Sequence, residues 1–536
     1  MANRKVNKNL RVSELITKEE ARTWEPDVPV IIEAGTGVGK SHFIKNTLYE
    51  IAKEQNEKIL FLIHRKKCVD QFQMEIENDG KDDVIDIVTY QKFSSHKSRY
   101  DMVTGEEDFC NPYDYGYIVS DEYHYFTEDA KFNDSTDIAY DRIMECATAI
   151  KIFMSATGYN IESYTTQYLH DNAEKLYISP DIKPLKYKIP TNWYFINQLY
   201  FFYKESAFER KAEEVIAKGT KAIFFIESAK NAYELYKKFE DNAIFCCSSS
   251  NKEYARYMDN EKINQMLENE KFEENLLITT SCLDAGVNIK DKDVKEIMVD
   301  IRDLGSLIQC MGRRRIGRRK DNGAYAEKID VYIRARTNEH LGGMITQTKK
   351  EIEPAEFLEF NGEEQFYEEY PRFNANTDKS GIIYTDRRHG NHLKVNELML
   401  AKRRSDIALY SEMIKRNEYG YCAYLADMFE QRHKYDRSGH IIKWRYEIYE
   451  PEIIYIMMAL ARYEKDCTEF CDKAQKDELA QELGLRKNGR VVKSAKCINE
   501  ALCRMGIPYQ IEEIRTKRKV NGRNKDVRLW KIMRTK

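Results

Sequence analysis

The 536-residue sequence lacks the usual features of secreted, membrane-bound or zinc-stabilised proteins. Its twelve cysteines include no C-x-x-C pair, and the N-terminal MANRKVNKNLRV has no apolar core of the kind that a secretory leader needs. The apolar run from Ile453 to Ala461 is far shorter than the roughly 20 residues that span a bilayer. The spacing of Cys467, Cys471, Cys497 and Cys503 fits no common zinc site and favours free thiols. These absences predict a cytoplasmic protein with reduced cysteines and no membrane partner.

The composition predicts a soluble globular chain of several domains. Hydrophobic residues make up 42% of the chain and charged residues 33%. The net charge of −3 conceals an uneven distribution, because residues 486–536 contain sixteen Lys or Arg and only four Asp or Glu. A basic patch on a mildly acidic protein is typical of phosphate binding.

Residues 28–45 combine an apolar strand, a glycine-rich loop and the beginning of a helix. The glycines allow backbone N–H groups to point inward at a phosphate, and the N-terminus of the helix adds partial positive charge. Lys40 is suited to the β- and γ-phosphates of a nucleotide, and the Ser41 hydroxyl is suited to Mg²⁺. The predicted nucleotide-binding residues are Ala34, Gly35, Thr36, Gly37, Val38, Gly39, Lys40 and Ser41.

Two adjacent carboxylates follow a later apolar strand, Tyr117–Ser120. Downstream of a phosphate loop, Asp121 would hold Mg²⁺ together with Ser41, and Glu122 would orient and polarise the attacking water. Adjacent acids are also common at surface turns, so the phosphate loop upstream is what favours catalysis. The sequence therefore predicts ATP and Mg²⁺ as cofactors.

A second α/β pattern begins after about residue 190 and contains no phosphate loop of its own. Three consecutive arginines, Arg313 to Arg315, come after Gly312 in this region. An arginine from a second lobe can reach a γ-phosphate held on the first lobe and stabilise the charge of the transition state. The predicted strands of this region are Ala222–Ile226, Ala243–Cys247, Leu276–Thr280, Ile297–Asp300 and Ile329–Ile333.

Taken in order, these motifs resemble those of a superfamily 2 helicase of the DExH-box kind. The resemblance covers about residues 28–335 and implies two tandem RecA-like lobes. AGTGVGKS is similar to motif I, LIHRKKCVDQ to Ia, TYQ to a nucleic-acid motif of DNA-acting members, DEYH to II, SATG to III, IFFIESAKNA to IV, TTSCLDAGVNI to V and QCMGRRR to VI.

The resemblance implies a role for each residue that matches a family motif. Asp121 and Glu122 match the metal-binding and water-activating acids. The matching interlobe residues are His124, Ser155 and Thr157 for coupling, Gly286 for the nucleotide, and Gln309, Arg313 and either Arg315 or Arg314 for motif VI. The predicted nucleic-acid contacts in the lobes are Arg65, Thr89, Gln91 and Thr280, although the basic residues beside Arg65 also fit a solvated turn.

Two departures from the family pattern refine the prediction. The usual motif VI, Q-x-x-G-R-x-x-R, would end at residue 316, where this chain has Ile316. The G-R-x-R spacing instead resembles some replication-type and phage-type members, which makes Arg315 the predicted arginine finger and Arg313 the alternative. Asn288 stands where motif V often has Asp. No adenine-reading glutamine motif precedes residue 28, which argues against the DEAD-box RNA subgroup.

The C-terminal third is predicted to be mainly helical, with a nucleic-acid-binding end. Residues 345–380 are acidic and predicted to be irregular, and residues 393–480 are predicted to form a helical scaffold. Two helices followed by a β-ribbon, within residues 477–532, resemble a winged helix. The predicted phosphate contacts there are Lys493, Arg518, Lys519 and Arg523; a solvated basic tail or a protein-interaction wing is the alternative.

The predicted fold class is α/β, with two tandem RecA-like parallel-sheet lobes, a helical domain and a C-terminal winged-helix-like module. The predicted function is an ATP-dependent helicase or translocase that acts on DNA, single-stranded or duplex, with replication or defence proteins as partners. An ATP-gated DNA-binding switch, a replication-origin recognition protein and an RNA helicase are the alternatives. The predicted boundaries are an N-terminal segment 1–25, lobe 1 at 26–188, lobe 2 at 189–344, a linker and helical domain at 345–475, and the basic module at 476–536.

Overall fold

The computed structural model divides the chain into two compact units. The first comprises Met1–Phe201 and Ala212–Glu447, and the second comprises Phe202–Lys211 and Ile448–Lys536. Among the described residues, no helix is both long enough and apolar enough to cross a membrane. The structure describes residues 10–35, 37–64, 66–94, 110–128, 136–156, 159–249, 251–281, 288–317, 327–375, 377–378, 380–386, 390–416, 420–435, 441–444, 447–449, 451–487, 490–505, 507–520 and 523–535.

The N-terminal segment packs into the hydrophobic core of the first lobe. Its two short helices are α1 (Val12–Leu15) and α2 (Lys18–Ala21). Val12 and Trp24 are buried in the same cluster as the first two strands of the lobe, and the Trp24 indole N–H donates to the Tyr187 hydroxyl at 3.1 Å. The described part of the predicted N-terminal segment 1–25, from residue 10 onward, therefore contributes to this lobe.

The first lobe is built on a six-stranded parallel sheet. The strand order is β3-β2-β4-β5-β1-β6, and every recorded pair is parallel. All five residues of β2 are buried, as expected where helices cover both faces of a sheet. The elements are β1 (Val30–Ala34), α3 (Lys40–His42), a π-helical segment (Phe43–Leu48), α4 (Tyr49–Gln55), β2 (Ile59–Ile63), α5 (Lys66–Asn78), β3 (Ile85–Thr89), α6 (Tyr90–Ser94), β4 (Tyr117–Asp121), α7 (Tyr125–Glu128), α8 (Thr136–Met144), β5 (Ile150–Ser155), α9 (Tyr159–Asp171), α10 (Ala173–Leu176) and β6 (Leu185–Ile189).

The second lobe repeats this α/β layout. Its sheet has β7, β12, β11, β8, β10 and β9 as successive neighbours, and the pairs from β12 to β9 are parallel. The two parallel lobes confirm the predicted pair of RecA-like folds. The elements are β7 (Ile196–Phe202), α11 (Ser206–Lys218), β8 (Lys221–Ile226), α12 (Ala229–Lys238), β9 (Ala243–Cys246), α13 (Asn260–Asn269), β10 (Leu276–Thr279), β11 (Val294–Asp300), α14 (Leu304–Met311) and β12 (Ile329–Arg334).

The prediction that residues 345–380 are irregular is wrong for most of their length. They continue a helix that begins in lobe 2 and is interrupted at Gly362, where φ is +80°. Apolar residues spaced through the acidic sequence, such as Ile352, Leu358 and Phe366, hold this helix against a shared core. The elements of this part are α15 (Asn338–Glu369), β13 (Ile383–Asp386), β14 (His392–Val395), α16 (Glu397–Arg416), α17 (Gly420–Met428), β15 (Arg432–Tyr435) and β16 (Ile441–Trp444).

The second unit has its own core of helices and one antiparallel sheet. Leu460 of its first helix packs with Ile498 and Trp530, so this core includes residues before position 476. The predicted boundary between residues 475 and 476 is therefore wrong, and it also falls inside a helix. The short strand β17 (Glu447–Ile448) spans the boundary between the units and belongs to the sheet that contains β7. The elements that follow it are α18 (Pro451–Lys465), β18 (Glu469–Phe470), α19 (Lys473–Leu483), β19 (Arg486–Lys487), β20 (Arg490–Val491), α20 (Ala495–Arg504), β21 (Tyr509–Val520) and β22 (Arg523–Arg534).

Candidate active site

The register of the first sheet brings the predicted site residues to one edge. Glu33 of β1 lies opposite Ser155 of β5, and Asp121 of β4 lies opposite Met154. The phosphate loop, the two acids and Ser155 therefore follow strands that end at the same level. The carboxyl edge of a parallel sheet is where such folds bind their ligands.

The phosphate loop depends on glycine at two positions. Gly37 has a φ of +77° and Gly39 a φ of +89°, a left-handed backbone that side chains disfavour. Gly39 immediately precedes α3, so the loop ends at a helix N-terminus. Gly35 is needed for a different reason, the lack of room for a side chain. A Cβ there would lie 2.9 Å from Oγ1 of Thr191, in the segment that connects the lobes. Thr36 lies outside the described residues.

Lys40 lies inside the loop, as its predicted role requires. Its side chain is nearly buried, and Nζ donates to the Ala34 carbonyl at 3.1 Å. The same Nζ lies 3.7 Å from Oε1 of Glu122, which connects the loop to the acidic pair. The Lys40 ammonium group is thus held at the centre of the loop, where a phosphate group would meet it. Ser41, at the second position of α3, is exposed.

Asp121 has the properties of a metal ligand. Its Oδ1 is buried and has no hydrogen-bond partner among the described residues. Burial, with the negative charge of Glu122, raises the pKa of Asp121 to about 6. A buried carboxylate of this kind gains a favourable partner when a cation binds, so Asp121 and Ser41 fit Mg²⁺.

Glu122 has an unusual backbone conformation, with a φ of +50°. Glutamate rarely adopts this region, and such strain concentrates at functional sites. Burial opposes ionisation of Glu122, but the positive charge of Lys40 and a hydrogen bond with His124 outweigh it and lower the pKa below the usual value. The carboxylate is therefore ionised at neutral pH and one-third exposed, so that it can accept a proton from an attacking water.

The predicted coupling residues form one hydrogen-bond network across the two lobes. The His124 Nδ1 lies 3.1 Å from Oγ of Ser155 and 3.3 Å from Oε2 of Glu122, and Ser155 Oγ–H donates to that same Oε2 at 3.4 Å. From the second lobe, Nε2 of Gln309 donates to Nε2 of His124 at 2.8 Å. This pattern is satisfied by a neutral His124 with its proton on Nδ1. Gln309 thus touches the side chain that contacts the water-activating acid.

Arg315, the predicted arginine finger, approaches the phosphate loop from the second lobe. Its Nη1 lies 3.9 Å from the position that a Cβ on Gly37 would occupy. Its Nε donates to Oδ1 of Asn288 at 2.6 Å, and its backbone N–H donates to the Ile289 carbonyl at 2.8 Å. Burial and the neighbouring Arg313 lower the pKa of Arg315 to about 10, so it is still a cation at neutral pH.

The three arginines of motif VI lie in different surroundings. Arg314 is buried and paired with Glu327 at 2.5 Å, which makes it part of the packing of lobe 2. Arg313 is also buried, and its charge contributes to the lowered pKa of Glu122. Of the three, Arg315 approaches the phosphate loop in the manner expected of a finger, while Arg313 lies near the acid.

Two residues near the site had no assigned role in the sequence analysis. Tyr90 is completely buried, stacks on Tyr125 with ring centroids 4.3 Å apart, and donates to the Asp121 carbonyl at 2.8 Å. Asn288, noted only as a departure from motif V, orients Arg315. The sequence pointed to both residues, because Tyr90 lies in the TYQ motif and Asn288 in the motif V match. A motif match does not show which side chain or carbonyl a residue will contact.

The predicted nucleic-acid contacts are dispersed. Gln91 is exposed, and the Thr89 hydroxyl accepts the Lys92 backbone N–H at the beginning of α6. Thr280 is buried at the end of β10, while Lys493 is exposed and pairs with Asp477 at 3.1 Å. Arg65, Thr157 and Gly286 lie outside the described residues, as do the side chains of Arg518, Lys519 and Arg523.

The described part of the chain contains no group of three or more His, Cys, Asp or Glu side chains that could hold a metal ion. The ten cysteines described there are all free thiols. A Mg²⁺ site at Asp121 and Ser41 would not be of that kind, because the rest of its ligands would come from ATP and water.

Comparison with known proteins relates the first lobe to one family. Residues 8–160 match the family model described as "Type III restriction enzyme, res subunit". No curated protein matches the sequence. Among solved structures, S. cerevisiae Dbp5 bound to RNA and ADP BeF3 has a TM-score of 0.39 and 18% identity, over 57% of this chain and 78% of that chain.

A DEAD box protein from the hyperthermophile Methanococcus jannaschii has a TM-score of 0.33 and 16% identity, over 61% of this chain and 86% of that chain. TM-scores below 0.5 support no conclusion about function. The matched family model ends at residue 160, before the second lobe begins. The comparisons therefore relate the first lobe to the res subunits of type III restriction enzymes, and the function of the whole chain depends on the geometry of the site.

Proposed function

We propose that the protein is an ATP-dependent nucleic-acid helicase or translocase. ATP would bind between the two RecA-like lobes, with its phosphates on the loop around Lys40 and Mg²⁺ on Ser41 and Asp121. Glu122 would accept the proton of the attacking water, and Arg315 would stabilise the charge that develops on the γ-phosphate. A cycle of ATP binding and hydrolysis would close and open the cleft and move a strand across both lobes.

A single observation carries this proposal: Gln309 and Arg315, both from the second lobe, reach the phosphate-binding side of the first. Gln309 donates to His124 at 2.8 Å, and Arg315 approaches Gly37. A nucleotide-binding protein that only binds ATP can do so with one lobe. Contacts from a second lobe to His124, which lies beside Glu122, and to the phosphate loop support hydrolysis coupled to relative motion of the lobes.

DNA is the substrate that we propose for the motor. Three features support it: the TYQ and G-R-x-R motifs, the basic C-terminal unit, and the match of the first lobe to a family named for a restriction enzyme. The second unit has the element order α18, β18, α19, α20, β21 and β22, with the short β19–β20 hairpin between α19 and α20. Strand β18 pairs with the last strand, β22. This order is that of a winged helix, and we propose that the unit binds duplex phosphates.

An ATP-gated DNA-binding switch is the second candidate, and one observation favours it. In the β21–β22 hairpin, Arg515 lies opposite Arg528. Like charges directly opposite each other destabilise a β-ribbon, and an anionic partner relieves that cost. A hairpin that holds a duplex stably would suit a switch, which binds DNA without moving along it.

The test is the ATPase rate of the full chain without nucleic acid and then with single-stranded DNA, duplex DNA or RNA. We expect DNA to raise kcat by about tenfold or more, because an occupied nucleic-acid site favours the closed cleft. If RNA but not DNA raised the rate, RNA would be the substrate of the motor instead of DNA. A basal rate that no nucleic acid changes, together with sequence-preferring duplex binding, would contradict the motor and favour the switch.

A further inference from the structure

The helix α16 contacts both lobes, although it belongs to neither sheet. Its N-terminal end is fixed to lobe 1, because Leu398 lies in the same hydrophobic cluster as the helices and strands of that lobe. Asn396, which is fully buried, caps the helix by accepting the Met399 N–H and donates through Nδ2 to Oγ1 of Thr136 at 2.9 Å. The adjoining hairpin reinforces this attachment, since the Tyr384 hydroxyl donates to Asp137 at 2.8 Å.

One turn further along, the same helix contacts lobe 2 through a nearly buried lysine. Lys402 Nζ lies 2.9 Å from Oδ1 of Asp303 in lobe 2 and 3.0 Å from Oδ2 of Asp406 on its own helix. Its side chain is only 13% exposed, so water screens this ion pair much less than an exposed one.

Asp303 is the residue that begins the motif VI helix. Its Oδ2 accepts the Ser306 N–H at 2.8 Å and thereby caps the N-terminus of α14. Six residues later the helix presents Gln309 to His124, and Arg313 to Arg315 follow its end. Six residues of α-helix span only about 9 Å, so a displacement of Asp303 moves Gln309 with it.

We propose that α16 is a strap between the lobes and that Lys402 is a positioning residue for ATP turnover. Through Asp303, Lys402 fixes the position of α14 so that Gln309 meets His124 and Arg315 meets the nucleotide. The strap and the Gln309–His124 contact form a closed ring of contacts that runs from lobe 1 through α16 and α14 and back to lobe 1. This inference rests on the proposed ATP hydrolysis and adds a part of the chain outside the helicase motifs to it.

The proposal predicts an effect on kcat rather than on ATP binding, because the binding loop is held by lobe 1. In Lys402→Met, which keeps the apolar stem and removes the charge, we expect kcat to fall about tenfold or more, since small displacements of catalytic groups are costly. The KM for ATP changes little. Lys402→Arg, which keeps the cation, restores most of kcat.

Asp303→Ser tests the same contact from the other side. Serine is as good a helix N-cap as aspartate but carries no charge, so α14 keeps its cap and loses only the ion pair. We expect the same fall in kcat as in Lys402→Met. The double variant is expected to have the same kcat as Lys402→Met alone, because both substitutions remove the Lys402–Asp303 contact, and the further pair with Asp406 lies within α16 and does not reach lobe 2.

Arg404→Ala is the matched control, because Arg404 is on the same helix and forms an exposed ion pair with Glu356 of α15. It is expected to keep the wild-type kcat. The measurements are steady-state ATPase with saturating DNA, and thermal unfolding of each variant. If Lys402→Met does not fold, Asp303→Ser alone decides the question.

Two results would overturn the inference while leaving the proposed function intact. One is a folded Lys402→Met or Asp303→Ser protein with the kcat of Arg404→Ala. The other is a loss of activity that Lys402→Arg does not restore and that follows the loss of thermal stability. A wild-type protein that hydrolyses no ATP under any condition would instead contradict the proposed function itself, and the inference with it.

Discussion

The two lobes share a parallel α/β scaffold but present opposite chemistry at the edge where their ligands would lie. Lobe 1 offers a glycine loop with one lysine and, after the next strands, the carboxylates Asp121 and Glu122. Lobe 2 offers Gln309 and a buried run of arginines but no phosphate loop. Under the proposed function, lobe 1 would bind ATP and activate water, and lobe 2 would complete the site from outside.

This difference shows how one fold divides binding from turnover. In lobe 1 the backbone forms the proposed binding site, since positive φ values at Gly37 and Gly39 shape the phosphate loop. In lobe 2 the arginines are held by other side chains: Arg314 forms an ion pair with Glu327, and Arg315 donates a hydrogen bond to Asn288. Substitutions in the two lobes should therefore fail in different ways.

The largest effect is expected from Lys40→Ala in lobe 1. It removes a side-chain cation that contacts both the loop and Glu122, so ATP binding and ATPase activity should both be lost. Nucleotide binding and steady-state ATPase measure the two effects. Lys53→Ala, on α4 in an ion pair with Asp83, is the control and should remain active. An active, folded Lys40→Ala protein would contradict the assignment of the phosphate loop.

A smaller effect, confined to turnover, is expected from Arg315→Ala in lobe 2. ATP should still bind, while kcat should fall by about 10³-fold because the charge on the γ-phosphate in the transition state loses its counter-ion. Single-turnover hydrolysis and equilibrium nucleotide binding separate the two steps.

Arg313→Ala tests the alternative arginine finger, and Arg302→Ala is the control for both arginine variants. Arg302 is half-exposed, pairs with Glu227 at 2.9 Å and should tolerate alanine. If Arg313→Ala loses turnover while Arg315→Ala does not, Arg313 is the finger. If both variants lose nucleotide binding instead of turnover, the division of labour between the lobes is wrong.

The smallest of these effects is expected from Gln309→Ala, which cuts the hydrogen bond between the lobes. The loss of one hydrogen bond of roughly 1.4 kcal/mol corresponds to about a tenfold fall in rate. The fall should appear in the DNA-stimulated ATPase more than in the basal rate, since this contact couples the lobes. Gln347→Ala, an exposed glutamine that pairs only within α15, serves as the control. Equal falls in both rates would contradict a coupling role.

The strands and the first-lobe site were largely predictable from the sequence. Parallel strands buried on both faces read as continuous apolar runs, such as ILFLI in β2, and polar residues after those runs lie at the carboxyl edge by topology alone. The phosphate loop and the acids at Asp121 and Glu122 could be found because their chemistry lies within a few consecutive residues.

The helix over residues 338–369 was not predictable in the same way. Its sequence is acidic, contains Pro354 and Gly362, and has no strong apolar period, so local propensity points to a loop. Packing of Ile352, Leu358 and Phe366 against β13, β14 and α16 overrides that tendency. The N-terminal segment was missed for a similar reason, since its few apolar residues have meaning only against the core that buries them.

The sequence by itself determined the two α/β lobes, the phosphate loop and the pair of acids, because each is a local pattern whose chemistry lies in a short stretch of chain. Only the tertiary structure decided which arginine approaches the loop, that Gln309 meets His124, and that Lys402 reaches Asp303. These contacts join residues 99 to 278 positions apart in the chain. Such pairs are selected by the packing of whole elements, which no local pattern records.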